Sequence, residues 1–176
     1  MRQDRKYRLT QNEFEDIFER LCGPLCLFAH RYVSDLGLSE DIVQDVFTKV
    51  LAERTAFPDK DKVEGFFYTA VRNRSLDVLR SKYARDVKAR TPQDLEVLQS
   101  EVYFLSEVTT IKTSGIIEKA IRSLPDRCAE AIRLSMEDCP NREIAEKMGI
   151  SVHTVKEYKK TAYKKLRKAL GHLRTK

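Results

Sequence analysis

The chain has 176 residues, 41% hydrophobic and 34% charged, with 6 Gly, 5 Pro and no Trp. That length holds one ordinary domain or two small ones, and so few turn-formers argue against a sheet-rich fold and for helices. Net charge is +6, but residues 151–176 carry nine Lys and Arg against Glu157 alone, a local +8 that leaves the rest near −2; one surface for an anionic partner is expected beside surfaces of mixed charge.

No run of eighteen apolar residues occurs, so no membrane-spanning helix is expected. The opening MRQDRKYRLTQ is basic but leads into no apolar core, so it does not read as a signal peptide. A cytoplasmic chain with reduced thiols at Cys22, Cys26, Cys128 and Cys139 follows.

Phe14, Ile17, Phe18, Leu21 and Leu25 recur at spacings of three and four, the pattern of an amphipathic helix. Gly23-Pro24 should break it, with Leu27, Phe28, Tyr32 and Val33 continuing beyond. Cys22, Cys26 and His30 stand at i, i+4 and i+8, where three ligands could meet one metal. A closed zinc site wants a fourth ligand, and buried Cys behaves as a small hydrophobe, so no metal is expected. SDLGLS reads as a turn, after which Ser39 caps a helix with Glu40 and Asp41 in its first turn. Ile42, Val43, Val46, Phe47, Val50 and Leu51 form its apolar stripe. Asp41, Gln44, Asp45, Thr48 and Lys49 stay outside, with Asp45–Lys49 the one evident i,i+4 pair, and such an acidic face suits a basic partner.

FPDKDK is a polar loop. From Val63 to about Lys82 a further helix buries Phe67, Ala70, Val71, Val78 and Leu79. Its segment FFYTAVRNRSLDVLRSK sets Phe66, Phe67 and Tyr68 ahead of Arg72, Asn73, Arg74 and Arg80. Aromatic faces can stack on unpaired bases while Arg holds the neighbouring phosphates. Residues 84–113 are acidic and weakly patterned, which reads as a linker with some helical content. Ile116, Ile117, Ala120, Ile121 and Leu124 give the next helix, ended by Leu124-Pro125, and residues 126–136 the one after. No strand-period alternation of useful length appears.

Residues 141–166, NREIAEKMGISVHTVKEYKKTAYKKL, read as a helix-turn-helix. Two crossing helices need a small residue at their close approach, a turn residue tolerant of φ > 0, and a branched apolar residue to lock the second on the first. Ala145, Gly149 and Val155 supply these in order, and Ser151 stands at the N-cap. The second helix is basic along its length, as a helix entering the major groove and meeting phosphates requires. No nucleophile–base pair, phosphate-cradling loop or metal constellation converges, so neither an enzyme nor a cofactor is expected.

Four segments in this order, LSEDIVQDVFTKV, FFYTAVRNRSLDVLRSK, AIRSLPDRCAEAIRLS and NREIAEKMGISVHTVKEYKKTAYKKLRKAL, resemble a bacterial RNA polymerase sigma factor of the extracytoplasmic-function (ECF) class. The resemblance covers about residues 14–82 and 116–170. It implies an all-α chain of two small helical domains: residues 9–83 for polymerase docking and −10 recognition and melting, and residues 114–173, a helix-turn-helix, for −35 recognition, with the linker 84–113 between. Asp41, Gln44, Asp45, Thr48 and Lys49 would dock on the β′ clamp helices of core RNA polymerase. The loop 56–63, with Phe57, Asp59, Lys60 and Lys62, would capture a flipped −10 base, and Arg72, Asn73, Asp77 and Arg80 would meet the −10 duplex and its melted strand. Arg142, Ser151, His153, Thr154, Lys156, Glu157, Lys159, Lys160 and Lys164 would serve −35 recognition. Promoter DNA, the β flap and an anti-sigma factor are the other implied partners. One departure is the turn Glu137-Asp138-Cys139-Pro140, where the family often has Gly; Asp tolerates the left-handed region, so the same turn is expected. The alternatives are a LuxR-like regulator with an N-terminal effector or dimerisation domain, and an adaptor whose basic helix is only solvated.

Overall fold

Thr10 and Glu13 open the first helix with a reciprocal cap: Thr10 Oγ1 accepts from the Glu13 N–H at 3.3 Å and Glu13 Oε2 accepts from the Thr10 N–H at 3.1 Å. Such a box satisfies two orphan donors at once. The computed structural model describes residues 6–85 and 92–171. Among these residues lie helices α1 (Gln11–Val33), α2 (Leu36–Ala52), α3 (Val63–Arg85), α4 (Pro92–Gln99), α5 (Glu101–Arg122), α6 (Asp126–Met136), α7 (Asn141–Met148) and α8 (Val152–Leu170). The architecture is all-α apart from one antiparallel pair of two-residue strands, β1 (Tyr7–Arg8) and β2 (Ala56–Phe57), in register Tyr7 with Phe57 and Arg8 with Ala56. The chain divides into two units, Met1–Lys112 and Thr113–Lys176.

In the first unit α1, α2 and α3 pack on one another around Ile17, Leu21, Leu25, Phe28, Ile42, Val43, Phe47, Phe67 and Val71. Phe28 sits edge-on to Tyr32, Tyr68 and Phe104, and Phe47 stacks on Phe67 with centroids 4.5 Å apart. The expected break at Gly23-Pro24 does not occur, because α1 runs straight through Pro24. A helical interior Pro costs ~3 kcal/mol, but the buried stripe Ile17, Leu21, Leu25, Phe28 and Tyr32 spans it without interruption. Ser39 is not the cap of α2. Asp35 is, accepting from the Leu38 N–H at 2.9 Å, while Ser39 is fully buried and donates to the Asp35 carbonyl at 2.6 Å.

The stretch expected as a linker is helical from Pro92 onwards, and the first part of α5 lays Tyr103, Phe104, Val108 and Ile111 on the first core. Their spacing of one, four and three is a helix stripe. Two of the acids in this segment meet bases far along the chain, Glu107 accepting from Arg31 at 2.8 Å and Glu101 from Arg72 at 3.2 Å, and its Lys112 donates to Glu64 of α3 at 2.8 Å.

In the second unit α6, α7 and the later part of α5 close around α8. Ile121, Leu124, Cys128, Ala129, Ile132 and Ala162 form one cluster, and Ala131, Ile144, Ala145, Met148 and Val155 another. Gly149 takes φ +65° and hands the chain to Ser151, whose Oγ caps α8 through the Thr154 N–H at 3.1 Å. Asp138 adopts the left-handed turn at φ +59°, as expected, and Pro140 caps α7.

Candidate functional site

The outer face of α2 presents Asp41, Gln44, Asp45, Thr48 and Lys49, all exposed, because the intervening Ile42, Val43, Val46, Phe47 and Val50 take the buried side of a 3.6-residue repeat. The anticipated Asp45–Lys49 pair is absent from this face. Asp45 accepts from Arg74 on α3 at 3.0 Å, and Lys49 lies 4.0 Å from Glu53. Between α2 and α3 runs a groove of about 600 Å³ lined by Asp45, Lys49, Phe66, Asn73, Arg74 and Asp77 among others. It joins the expected docking face to the expected −10 face. Of the three aromatics at the start of α3, Phe67 and Tyr68 are core; Phe66 is 39% exposed and faces this groove.

The loop 56–63 is held at both ends. Phe57 pairs through β2 and is buried, its ring edge-on to Phe66 at 5.2 Å. Asp59 caps a 3-10 turn, Lys60–Lys62, by accepting from the Lys62 N–H at 3.0 Å. Lys60 donates to Glu13 at 2.8 Å. Hydrogen bonds from Lys60, Tyr7 and Thr10, in that order, hold the Glu13 carboxyl down at about 2. Asp59, Lys60 and Lys62 are exposed and can meet a ligand; Phe57 supports them from within.

On α3, Asn73, Asp77 and Arg80 are exposed, with Arg80 donating to Asp77 at 3.3 Å. Arg72 is different. Its side chain is 15% exposed, it donates to the Gln99 carbonyl and to Glu101, and its guanidinium lies 4.9 Å from the Phe104 ring centre. The segment α4–α5 therefore covers this residue. Neither Phe66 nor Arg74 stood out from its neighbours in the sequence; an acidic face on one helix and a surplus of Arg on the next was the available signal.

On α8, His153, Lys156, Glu157, Lys160 and Lys164 are exposed, as are Arg142 on α7 and Ser151 in the turn. Thr154 is half-buried, its hydroxyl 2.8 Å from that of Ser151. Lys159 is half-buried and donates to Ser135 and Asn141. Lys156, Lys160, Lys164 and Arg167 border one groove with Tyr163, and Lys159 and Asn141 line it too; the exposed cations suit the phosphates beside a major groove.

Cys22 and Cys26 are half-buried side by side on α1, and burial first, then the Cys22 thiol, pushes the Cys26 thiol up to about 11. A thiol held protonated at neutral pH is a poor metal ligand. Among the described residues His, Cys, Asp and Glu gather in no group of three that could hold a metal, and no helix is long and apolar enough to cross a membrane.

Residues 17–85 match the family model for Sigma-70 region 2, and residues 114–166 that for Sigma-70, region 4. The chain is also 27% identical to the RNA polymerase sigma factor SigZ of Bacillus subtilis (strain 168) over 159 residues, 89% of this chain and 86% of the relative. The chain belongs to the sigma-70 family, in its ECF class: it binds core RNA polymerase and directs promoter-specific initiation of transcription. Region 2 occupies the part of the chain where a LuxR-like regulator would need an effector or dimerisation domain, and that alternative is set aside.

Proposed function

We propose that the two units divide promoter recognition between them, with the residues of each surface in distinct roles. Asp41, Gln44, Asp45, Thr48 and Lys49 dock on the β′ clamp helices, and the helix-turn-helix unit reaches the β flap. The loop 56–63, through Asp59, Lys60 and Lys62, and α3, through Asn73, Asp77 and Arg80, hold the −10 element as it melts. The observation that carries this reading is the α2–α3 groove, where the sole exposed member of the Phe66–Tyr68 aromatic run stands beside Asn73 and Asp77. Extruding a base costs a few kcal/mol, and stacking on an aromatic ring returns ~1–3 kcal/mol per base. Asn73 supplies a donor and an acceptor for a base edge. Arg72 enters this scheme only after leaving Glu101 and the Gln99 carbonyl, so its contribution is tied to displacement of α4–α5.

On α8 the first turns read the −35 bases in the major groove through His153, Thr154 and Glu157, with Arg142 and Ser151 flanking, while Lys156, Lys160 and Lys164 neutralise phosphates. The factor works in the cytoplasm with the polymerase, and an anti-sigma factor restrains it. The test is open-complex formation on a promoter carrying a fluorescent base analogue at −10. Phe66→Ala should lower the fluorescence rise while leaving polymerase binding intact; an unchanged rise removes Phe66 and the groove from the account. At −35, Lys160→Ala should weaken all duplexes alike and lower the salt slope by about 0.9. Substitution of His153 or Glu157 should change which duplex is preferred, by ~1–3 kcal/mol per base pair.

A further inference from the structure

The cations of α8 point outward with one exception among the described residues. Lys156, Lys160, Lys164, Lys165, Arg167 and Lys168 are exposed, whereas Lys159 is half-buried. Its ammonium donates to Ser135 Oγ at 2.7 Å and to Asn141 Oδ1 at 3.2 Å. Ser135 lies in the last turn of α6, and Asn141 is the first residue of α7. One side chain thus ties together all three helices of the DNA-reading fold.

The helical phase explains the burial. Lys159 follows Val155 by four residues and precedes Ala162 by three, and both of those are fully buried. At 100° per residue it stands about 40° from Val155, on the edge of the core stripe, while Lys160 is turned a further ~100° toward the open face. A lysine offers three N–H donors, and two of them already have neutral acceptors here. A phosphate contact would require Lys159 to abandon both, leaving the half-buried Ser135 and Asn141 oxygens without this donor.

We propose that Lys159 is a positioning residue and not a phosphate contact: it fixes the angle at which the first turn of α8 enters the −35 major groove. This rests on the reading of α8 as the −35 element's reader. The Gly149–Ser151 turn and Val155 locate the start of α8, and Tyr158, Ala162 and Leu166 pack further along it, but these non-directional apolar contacts leave the helix some freedom to tilt. A directional tether one turn further on, reaching both preceding helices, removes that freedom. Base readout tolerates little misplacement, since paired hydrogen bonds to a base edge need both distances right.

The test uses the full chain reconstituted with core RNA polymerase and promoter duplexes randomised over the −35 positions. Lys159→Met should lower discrimination against a single mismatched base pair, normally fivefold or more, toward one, with no change in salt slope. Lys159→Arg, which keeps a long donor, should restore it. The pair Ser135→Ala with Asn141→Ala, which retains the lysine, should relax the preference as Lys159→Met does, and the three changes together should go no further. Lys160→Met should instead lower the salt slope by about 0.9 with preference kept. A slope drop of that size for Lys159→Met, with the Ser135–Asn141 pair behaving as wild type, would overturn the proposal in favour of a phosphate contact. So would a lowered melting temperature with preference intact, which marks a purely structural tie. If Lys159→Met fails to fold, the Ser135–Asn141 pair decides alone. A wild-type holoenzyme without any −35 preference, yet active from −10 contacts, would instead remove the reading of α8 itself.

Discussion

Glu13 carries a pH dependence at the scale of one residue. Its carboxyl sits at about 2 because Lys60, Tyr7 and Thr10 donate to it. A carboxyl lowered in the folded state contributes stability that is complete above its unfolded value near 4.5 and is lost as pH falls toward 2. The tether between α1 and the loop 56–63 should therefore hold through the physiological range and loosen only in strong acid. Carboxyl chemical shifts should place the Glu13 midpoint well below 4, and Lys60→Met should raise it; a wild-type midpoint near 4.5 would show the tether is not formed in solution. Gly149 is the second case. At φ +65° any side chain is strained by roughly 1–2 kcal/mol, so Gly149→Ala should lower the stability of the second unit by about that amount in denaturant melts, although the site has room for a methyl group.

At the scale of elements, the early half of α5 behaves as part of the first unit. Phe104 meets Phe28 edge-on and Arg72 through its ring face. Phe104→Ala should cost about 2–4 kcal/mol and raise amide exchange along α4 and α5 more than along α2; exchange unchanged in α4–α5 would mean the segment is not held by this ring. What the sequence made legible divides along the same line. The helix-turn-helix was readable because its determinants are local: Ser151 caps within its own turn, Gly149 sets its own φ, and Asp138 tolerates its own left-handed turn. The same holds for α6, whose bounds coincide with the apolar repeat of residues 126–136. The misreadings concern residues decided from a distance. Pro24 is carried by packing on α2 and α3, Ser39 is claimed by the core, and Glu101 and Glu107 looked like linker because Arg72 and Arg31 are remote in sequence. The candidate surfaces were legible as faces, since period 3.6 separates outside from inside, but not as pairings: Asp45 chose Arg74, and Lys159 chose Ser135 and Asn141.

For the whole molecule, basic charge is concentrated on α8 and acidic charge on the outer face of α2, and the proposed division of roles gives the two macromolecular partners these different surfaces. Promoter binding should fall steeply with salt through the lysines of α8, whereas the polymerase contact should respond to the sign of charge on α2. Asp45→Lys both reverses that sign and removes the Arg74 partner. The most direct test of this account is run-off transcription from genomic fragments with core RNA polymerase, with and without the chain, alongside co-purification of the two. The account predicts promoter-specific transcripts that appear only when the chain is added, depend on the −10 to −35 spacing, and vanish with Asp45→Lys together with polymerase binding. A chain that ignores core polymerase but shifts a palindromic duplex, or an Asp45→Lys chain that transcribes as well as wild type, would contradict it.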